Sequence, residues 1–266
     1  MQVRTGRVSG IVLAVGAALT AAGAQAGPEK VAYPSNYLKG ERYATLDRPD
    51  IKQYRELYTQ AEVIEAVRKG QPIPTGAVLT LVQWSVETDA QGNPIKGPDG
   101  HFVKKDIVGT AVMEKRTGWG AEYPSEYRNG EWEYSAFTAD GRPNPKANAN
   151  IKACFDCHKP HEKQDFVMSL AKLNGTFPTA VAAKRTGMTD VNIAGFVFGP
   201  GKITVASGQS VNWTNVDDSP HQISVAGRKT GVLLRGQSAA LKFDQAGLFD
   251  YVCSLHPTMK GQVEVK

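Results

Sequence analysis

Residues 50–69 (DIKQYRELYTQAEVIEAVRK) place Tyr54, Leu57, Val63, Ile64 and Val67 at helical spacing, which predicts an amphipathic helix with one buried face. Gly70-Gln71-Pro72-Ile73-Pro74 ends it. Residues 78–86 (VLTLVQWSV) change the pattern to a run rich in β-branched and aromatic side chains, as in a buried strand. Gly92-Asn93-Pro94 and Pro98-Asp99-Gly100 read as turns, residues 102–115 and 132–137 as further strands, and residues 164–173 as a closing helix. From residue 191 onward the chain becomes short apolar runs separated by turns: 191–198, 203–205, 211–215, 222–225, 239–243, 249–253 and 262–265. Seven such runs predict an all-β sandwich.

Residues 173–190 separate the two patterns with small residues, Thr and Pro. A flexible segment of that kind spans roughly 20 Å. The division expected is therefore 27–174, a linker at 175–189, and 190–266. Residues 1–26 predict a secretory signal. Arg4 and Arg7 lead, a short apolar run follows over residues 11–22, and Ala24-Gln25-Ala26 gives the small-x-small cleavage pattern. The apolar run is shorter than the ~20 residues a membrane span needs. The expectation is cleavage after Ala26 and a periplasmic protein with no membrane span.

Charge adds one exclusion. Residues 27–175 carry 20 Lys/Arg against 20 Asp/Glu, and residues 176–266 carry 9 against 6. With Arg4 and Arg7 this gives the net +5. No dense basic stripe is present, so nucleic acid is not an expected partner.

Three cysteines, Cys154, Cys157 and Cys253, are an odd count for an exported protein, where cysteines commonly pair as disulfides. Cys154-Phe155-Asp156-Cys157-His158 accounts for two. Two thiols at this spacing can each add to a haem vinyl group, and the adjacent histidine then supplies an axial nitrogen to the iron. A thioredoxin-type dithiol would need a βαβ setting, and a zinc site would need two more nearby ligands where only His161 is close. The motif predicts one covalent haem c. His161 is read as a surface or haem-edge residue, and Met113 and Met168 are candidate sixth ligands, with an open sixth position as the alternative.

Cys253 belongs to a second constellation. Cys253-x2-His256-x2-Met259 sets three donors on one loop, and His221 follows the strand at 211–215. A thiolate, two imidazoles and a weak axial thioether form a type 1 (blue) copper site. A free cysteine or a zinc site is the alternative. The expected copper ligands are His221, Cys253, His256 and Met259. His101 is expected in a hairpin, and Arg128 and Glu131 in solvated salt bridges.

On these residues two resemblances follow. The segment 190–266 resembles the cupredoxins of the amicyanin, plastocyanin and pseudoazurin group, through Phe196-Val197-Phe198, Val211-Asn212-Trp213-Thr214-Asn215, His221, Tyr251-Val252-Cys253, His256-Pro257 and Met259-Lys260-Gly261. It implies a Greek-key β-sandwich with copper near one end. Gln222 stands where many cupredoxins have an Asn that tethers the copper loop. The segment 27–174 resembles the cytochrome P-460 family, which includes the β-sheet cytochromes c-prime. The matching stretches are Tyr33-Pro34, Pro72-Ile73-Pro74-Thr75-Gly76, Gly118-Trp119-Gly120, Asn129-Gly130-Glu131-Trp132 and Cys154 through Asp165-Phe166. That resemblance implies an α+β haem domain (an antiparallel sheet with flanking helices), a homodimer through it, and a five-coordinate haem. Some members oxidise hydroxylamine and others bind nitric oxide. Hydroxylamine oxidisers carry a haem-linked lysine at the position of Leu81, and no lysine lies between Gly76 and Ile95. An apolar distal pocket suited to a small diatomic ligand is the expectation.

The leading functional expectation is a periplasmic haem–copper electron-transfer protein that serves other redox proteins. The alternative is an oxidoreductase that acts on hydroxylamine or nitric oxide at the haem, with copper as its electron partner.

Overall fold

A computed structural model describes residues 27–175 and 188–266. The expected signal peptide and most of the expected linker lie outside these residues. The described chain is mostly β with few helices. No described helix is long and apolar enough to cross a membrane.

Nine elements follow one another in the first part. They are β1 (Glu41–Arg48), β2 (Gln53–Thr59), α1 (Ala61–Arg68), β3 (Val78–Val86), β4 (Lys104–Lys115), β5 (Trp132–Thr138), α2 (Pro145–Ala149), α3 (Lys152–His158) and α4 (Leu170–Leu173). The five strands form one antiparallel meander in chain order. Side chains alternate across a strand, so the sheet has two distinct faces. On one, Leu57, Leu81, Ala111 and Ala136 form a row through successive cross-strand pairs, with Leu79, Met113 and Tyr134 in the next row. Leu79, Met113 and Tyr134 share a core with Val63, Ile64 and Val67 of α1 and with Phe155 of α3. The other face packs Val112 and Phe137 against Val31, Tyr33 and Trp119.

The predicted helix over residues 50–69 is half wrong. Only Ala61–Arg68 is helical, and Gln53–Thr59 is a central strand. Tyr54, Glu56 and Tyr58 are buried on one side of it, a period of two that also fits the sequence. Gln60, extended at φ −69° and ψ 147°, marks the switch. The closing helix expected over 164–173 shrinks to Leu170–Leu173, because Asp165 and Phe166 both adopt left-handed φ angles, of 51° and 60°.

The second part holds β6 (Met188–Ala194), β7 (Val197–Gly199), β8 (Lys202–Val205), β9 (Gln209–Asn215), β10 (Ile223–Val225), β11 (Arg228–Lys229), β12 (Ser238–Phe243), β13 (Gly247–Cys253) and β14 (Lys260–Val265). They make two sheets, ordered β11-β10-β13-β14-β8 and β12-β9-β6-β7. One predicted strand, 191–198, is broken into β6 and β7 by left-handed turns at Gly195 and Phe196. Between the sheets Val191, Ile193, Val211, Trp213, Ile223, Tyr251 and Val263 are sealed from solvent. Burial of each side chain of this size contributes roughly 1.5–3 kcal/mol.

The two parts touch. Leu46 of β1 packs on the sandwich core. In the β1–β2 turn, Arg48 grips Asp50 through two hydrogen bonds (2.8 and 2.7 Å), lies 3.6 Å over the Phe196 ring, and holds Asp50 toward the Thr258 hydroxyl at 3.1 Å. Lys172, at α4, reaches Asp218 at 3.3 Å, and Arg235 pairs with Asp218 at 2.6 Å.

Candidate metal centres

The haem motif sits on α3, whose last residue is His158. Phe155, in the middle of the motif, is fully buried, and the side-chain amide of Asn129 donates to its carbonyl at 3.0 Å. The helix is thus fastened to the sheet behind it. His158 is oriented by its Nδ1, which lies 2.7 Å from the Phe166 carbonyl. A carbonyl can only accept, so Nδ1 carries the proton and Nε2 is left with a free lone pair, the state that suits a metal ligand. The left-handed pair Asp165–Phe166 bends the chain back to deliver that carbonyl. Lys115 at 2.8 Å and the Trp132 indole at 3.3 Å hold the Asp165 carboxylate in place. A left-handed aromatic residue costs about 1–3 kcal/mol, strain of the kind that gathers at functional sites. Desolvation lowers the His158 pKa to about 4, so the ring is neutral at pH 7.

His158 and Cys154 face a cleft of about 170 Å³ whose floor is the sheet row Leu57, Leu81, Ala111 and Ala136. The lining is apolar, and the small Ala111 and Ala136 leave the space open. Cys157 is half-buried outside that lining, within reach of the Arg48 and Arg55 charges. Met113 and Met168 both border the cleft, as does Leu81. His161 is not a surface residue: it is only 2 % exposed, because the same reversal at residues 165–166 folds the chain over it. Arg128 and Glu131 border no part of the cleft and form no salt bridge among the described residues. Arg128 bonds the Tyr123 carbonyl, and Glu131 accepts the Gly118 amide at 2.9 Å. His101 stands in the loop between β3 and β4, 3.4 Å from Asp47.

The second constellation gathers at one end of the sandwich. His221 follows β9, Cys253 ends β13, and His256 and Met259 lie on the loop before β14. Cys253 Sγ is 3.6 Å from the Nδ1 atoms of both His221 and His256. For a metal about 2.3 Å from sulfur and about 2.05 Å from nitrogen, with 120° between the bonds, that separation is roughly 3.7 Å. These three donors therefore fit one trigonally bound ion. Burial pushes the Cys253 thiol up, but the two imidazoles and the Gln222 amide pull it down to about 5. The donor set is a thiolate and two imidazoles, which suits copper. Met259 is buried, its amide bonded to the His256 carbonyl and its carbonyl to the Cys253 amide. Gln222 ties the loop from below: its side chain accepts from Ser254 Oγ at 2.7 Å and donates to the Thr230 carbonyl at 3.0 Å.

The structure adds residues that motif reading missed. Asp217 accepts from His221 Nε2 at 3.1 Å, which fixes the tautomer with Nδ1 toward the other donors. The same carboxylate takes the Gly195 and Phe196 amides, at 2.5 and 2.9 Å. It so stabilises Phe196 in its left-handed conformation, against the rings of His221 and His256 (centroids 5.3 and 4.9 Å). Asp218 and Ser219, from the loop that carries His221, border the cleft in front of His158 together with Lys172. An acidic pair beside a ligand histidine was visible in Asp217-Asp218-Ser219-Pro220-His221, but its reach to the other site was not.

Comparison with known proteins finds relatives for both parts of the chain. The cytochrome P-460 family model matches residues 34–169. Amicyanin-alpha of Methylorubrum extorquens is 32% identical over 114 residues, 38% of this chain and 96% of that protein. Amicyanin of Paracoccus denitrificans is 34% identical over 96 residues, 34% of this chain and 73% of that protein. Plastocyanin of Scenedesmus fuscus is 32% identical over 85 residues, 26% of this chain and 87% of that protein. Among solved structures, the Cu(I) form of a methionine-to-alanine mutant of amicyanin matches at 32% identity over 33% of this chain and 88% of that one, with a TM-score of 0.30. The chain belongs to the cytochrome P-460 family and carries, joined C-terminally to it, a part of the amicyanin and plastocyanin kind.

Proposed function

We propose that this chain is an exported haem–copper electron-transfer protein. Cys154 and Cys157 would hold one haem c, His158 would supply a nitrogen ligand to its iron, and His221, Cys253, His256 and Met259 would hold one type 1 copper. The haem would lie in an α+β domain and the copper in a Greek-key sandwich, with residues 1–26 removed on export to the periplasm and other redox proteins there as donor and acceptor. Both groups, when bound, cycle by single electrons. The chain's own part is to fix the ligands before binding, so that little rearranges as charge moves. The Phe166 carbonyl does this for His158, and Asp217, Gln222 and Phe196 do it for the copper loop.

One observation carries the reading. Arg48 lies against Phe196, which touches both histidines, and the charge of Arg48 also reaches Cys157. A single turn of the haem part thus links one ligand set to the other. In stopped flow, once one centre is reduced, the other is expected to follow at a rate independent of protein concentration. A rate that scales with concentration overturns the relay.

The apolar cleft favours a second role, binding of a small uncharged ligand such as nitric oxide at the haem. Asp218 and Ser219 border the cleft, so its mouth is partly closed by the copper part, and Lys172–Asp218–Arg235 fastens the closure. Asp218→Ala is expected to raise the rate of carbon monoxide binding to reduced haem several-fold. High salt should mimic this in the wild type, because a partly exposed pair is screened. Equal rates would show that entry lies elsewhere.

A further inference from the structure

Glu133 is fully buried on β5, on the sheet face turned away from the haem cleft, and no side chain bonds its carboxylate. The contrast with Glu56 is sharp. Glu56 is just as buried, yet Arg42, Lys104 and the Trp84 indole each bond it at 2.7–3.0 Å. An unpartnered buried carboxylate costs several kcal/mol when ionised.

The charged groups around Glu133 relieve it only in part: the Lys30 ammonium favours the ionised carboxyl, against burial and two acidic neighbours. Glu114, its cross-strand neighbour, is bound to Arg116 at 2.6 Å. Glu29 and Glu122 repel it, and the Lys30 ammonium is committed to Glu122 and lies 4.7 Å above the Tyr123 ring. Burial dominates and raises the Glu133 carboxyl to about 7.

The backbone N–H of Gly27 bears on this carboxylate. Gly27 is buried, and its seat has no room for a side chain: a Cβ would lie 2.5 Å from Tyr123 Oη and 2.8 Å from the Glu29 carboxylate. Tyr123 Oη is itself buried, with the Lys30 ammonium as its neighbour. Two buried polar groups, the Glu133 carboxyl and Tyr123 Oη, therefore stand against the Gly27 backbone. Gly27 is also the residue that follows the Ala24-Gln25-Ala26 cleavage pattern.

We infer that Glu133 and Tyr123 form the receiving site for the mature amino terminus, the α-ammonium group created at Gly27 when the leader is removed. This rests on the export reading above. Hydrolysis of the Ala26–Gly27 bond by water leaves a carboxylate on Ala26 and an ammonium on Gly27. A peptide N–H offers one neutral donor. The ammonium offers three donors and a full positive charge, enough for the Glu133 oxygens and Tyr123 Oη. Cleavage thereby converts the least favourable buried charge of this face into an ion pair, and it locks the 3-10 turn at Pro28–Lys30 and the Val31 and Tyr33 side chains onto the sheet. The fold is completed only after export.

The pH sign is defined. With a residue retained ahead of Gly27, the raised Glu133 pKa makes the folded state lose stability as pH rises from the ordinary carboxylate range through about 7. With the ammonium in place the carboxylate stays ionised and that loss disappears, until the amine deprotonates at high pH. Glu114, Glu29, Glu122, Lys30 and Tyr123 are common to both forms.

The test compares the full haem- and copper-loaded chain beginning at Gly27 with one that retains a single alanine before it. Intact mass should first show that natural processing ends at Ala26. Near pH 7.5 the extended form is expected to melt roughly 5–15 °C lower, with the gap narrowing toward pH 5. Glu133→Gln in both backgrounds should abolish the gap. Acylation of the α-amine should be slow in the wild type and fast in Glu133→Gln. Equal melting of the two starts, or a gap that persists in Glu133→Gln, overturns the receiving site. A natural start other than Gly27 also overturns it, but through the cleavage reading, which the mass alone identifies.

Discussion

Arg48→Ala is expected to slow electron passage between haem and copper by about thirty-fold or more while leaving both visible spectra unchanged. Arg48 is 7 % exposed and makes two kinds of contact across the junction. Its guanidinium stacks on Phe196, worth about 2 kcal/mol when desolvated. It also holds Asp50, whose side chain is only 2% exposed and reaches Thr258 beside His256. Burial pushes the Asp50 carboxyl up, but Arg48 and the Thr258 hydroxyl hold it below its ordinary value. Without Arg48 the burial effect wins: Asp50 must protonate or swing out, and the Thr258 contact goes with it. A loss of about 2 kcal/mol or more lowers the docked population relative to the undocked by about thirty-fold, at about 1.4 kcal/mol per factor of ten. Because the Asp50 pKa is depressed, its contribution to docking is present at neutral pH and is lost only as pH falls below the usual carboxylate range. Wild-type transfer should therefore hold from pH 8 to 5 and slow in acid. Arg48→Lys keeps the charge but not the planar two-point grip, and should fall between. Flash-induced reduction of one centre, followed at the other, measures this. An unchanged rate in Arg48→Ala would show that electrons do not depend on the β1–β2 turn.

How much of this was legible beforehand follows from where the information lies. The two ligand motifs are local, so Cys154, Cys157, His158, Cys253, His256 and Met259 could be named from spacing. Even His221, distant in sequence, was marked by the strand before it. Residues 53–59 were misread because Tyr54, Leu57 and the helix that follows satisfy a 3.6-residue period while Tyr54, Glu56 and Tyr58 satisfy a period of two. Only pairing with β1 and β3 decides between them. The reversal at Asp165–Phe166 was invisible, since no glycine marks it and Phe disfavours a left-handed conformation, and it is held by Lys115 of β4 and Trp132 of β5. That reversal is also what buries His161, which its closeness to His158 in sequence marked only as a surface or haem-edge residue. The contacts of Arg48 and Asp218 could not be read at all. They depend on how two separately patterned parts meet, and surface charge carries no signature of its partner.

Cys253→Ser is expected to remove the intense visible band of the copper site and to weaken copper binding by more than the about 10–100-fold that loss of a supporting outer-layer group costs. The substitution is nearly isosteric, so the effect is chemical. Cys253 is fully buried and central to the donor set, 3.6 Å from each imidazole nitrogen. The two imidazoles and the Gln222 amide stabilise it as an anion with a pKa of about 5. A serine hydroxyl stays protonated there and offers a hard, neutral oxygen in place of soft, charged sulfur. The sandwich itself should persist, because Trp213, Tyr251 and Val263 remain packed and Gln222 still spans Ser254 and Thr230. The haem spectrum should be unaltered, since none of its proposed ligands depends on Cys253. Reduction of the haem through the copper site should stop, leaving only slow reduction from solution. Metal analysis of the wild type separates copper from zinc: stoichiometric copper with a strong visible band that serine abolishes supports the assignment. A colourless wild-type protein that holds zinc at these three donors would overturn it, because zinc cannot accept an electron and the sandwich would then be a structural appendage to the haem.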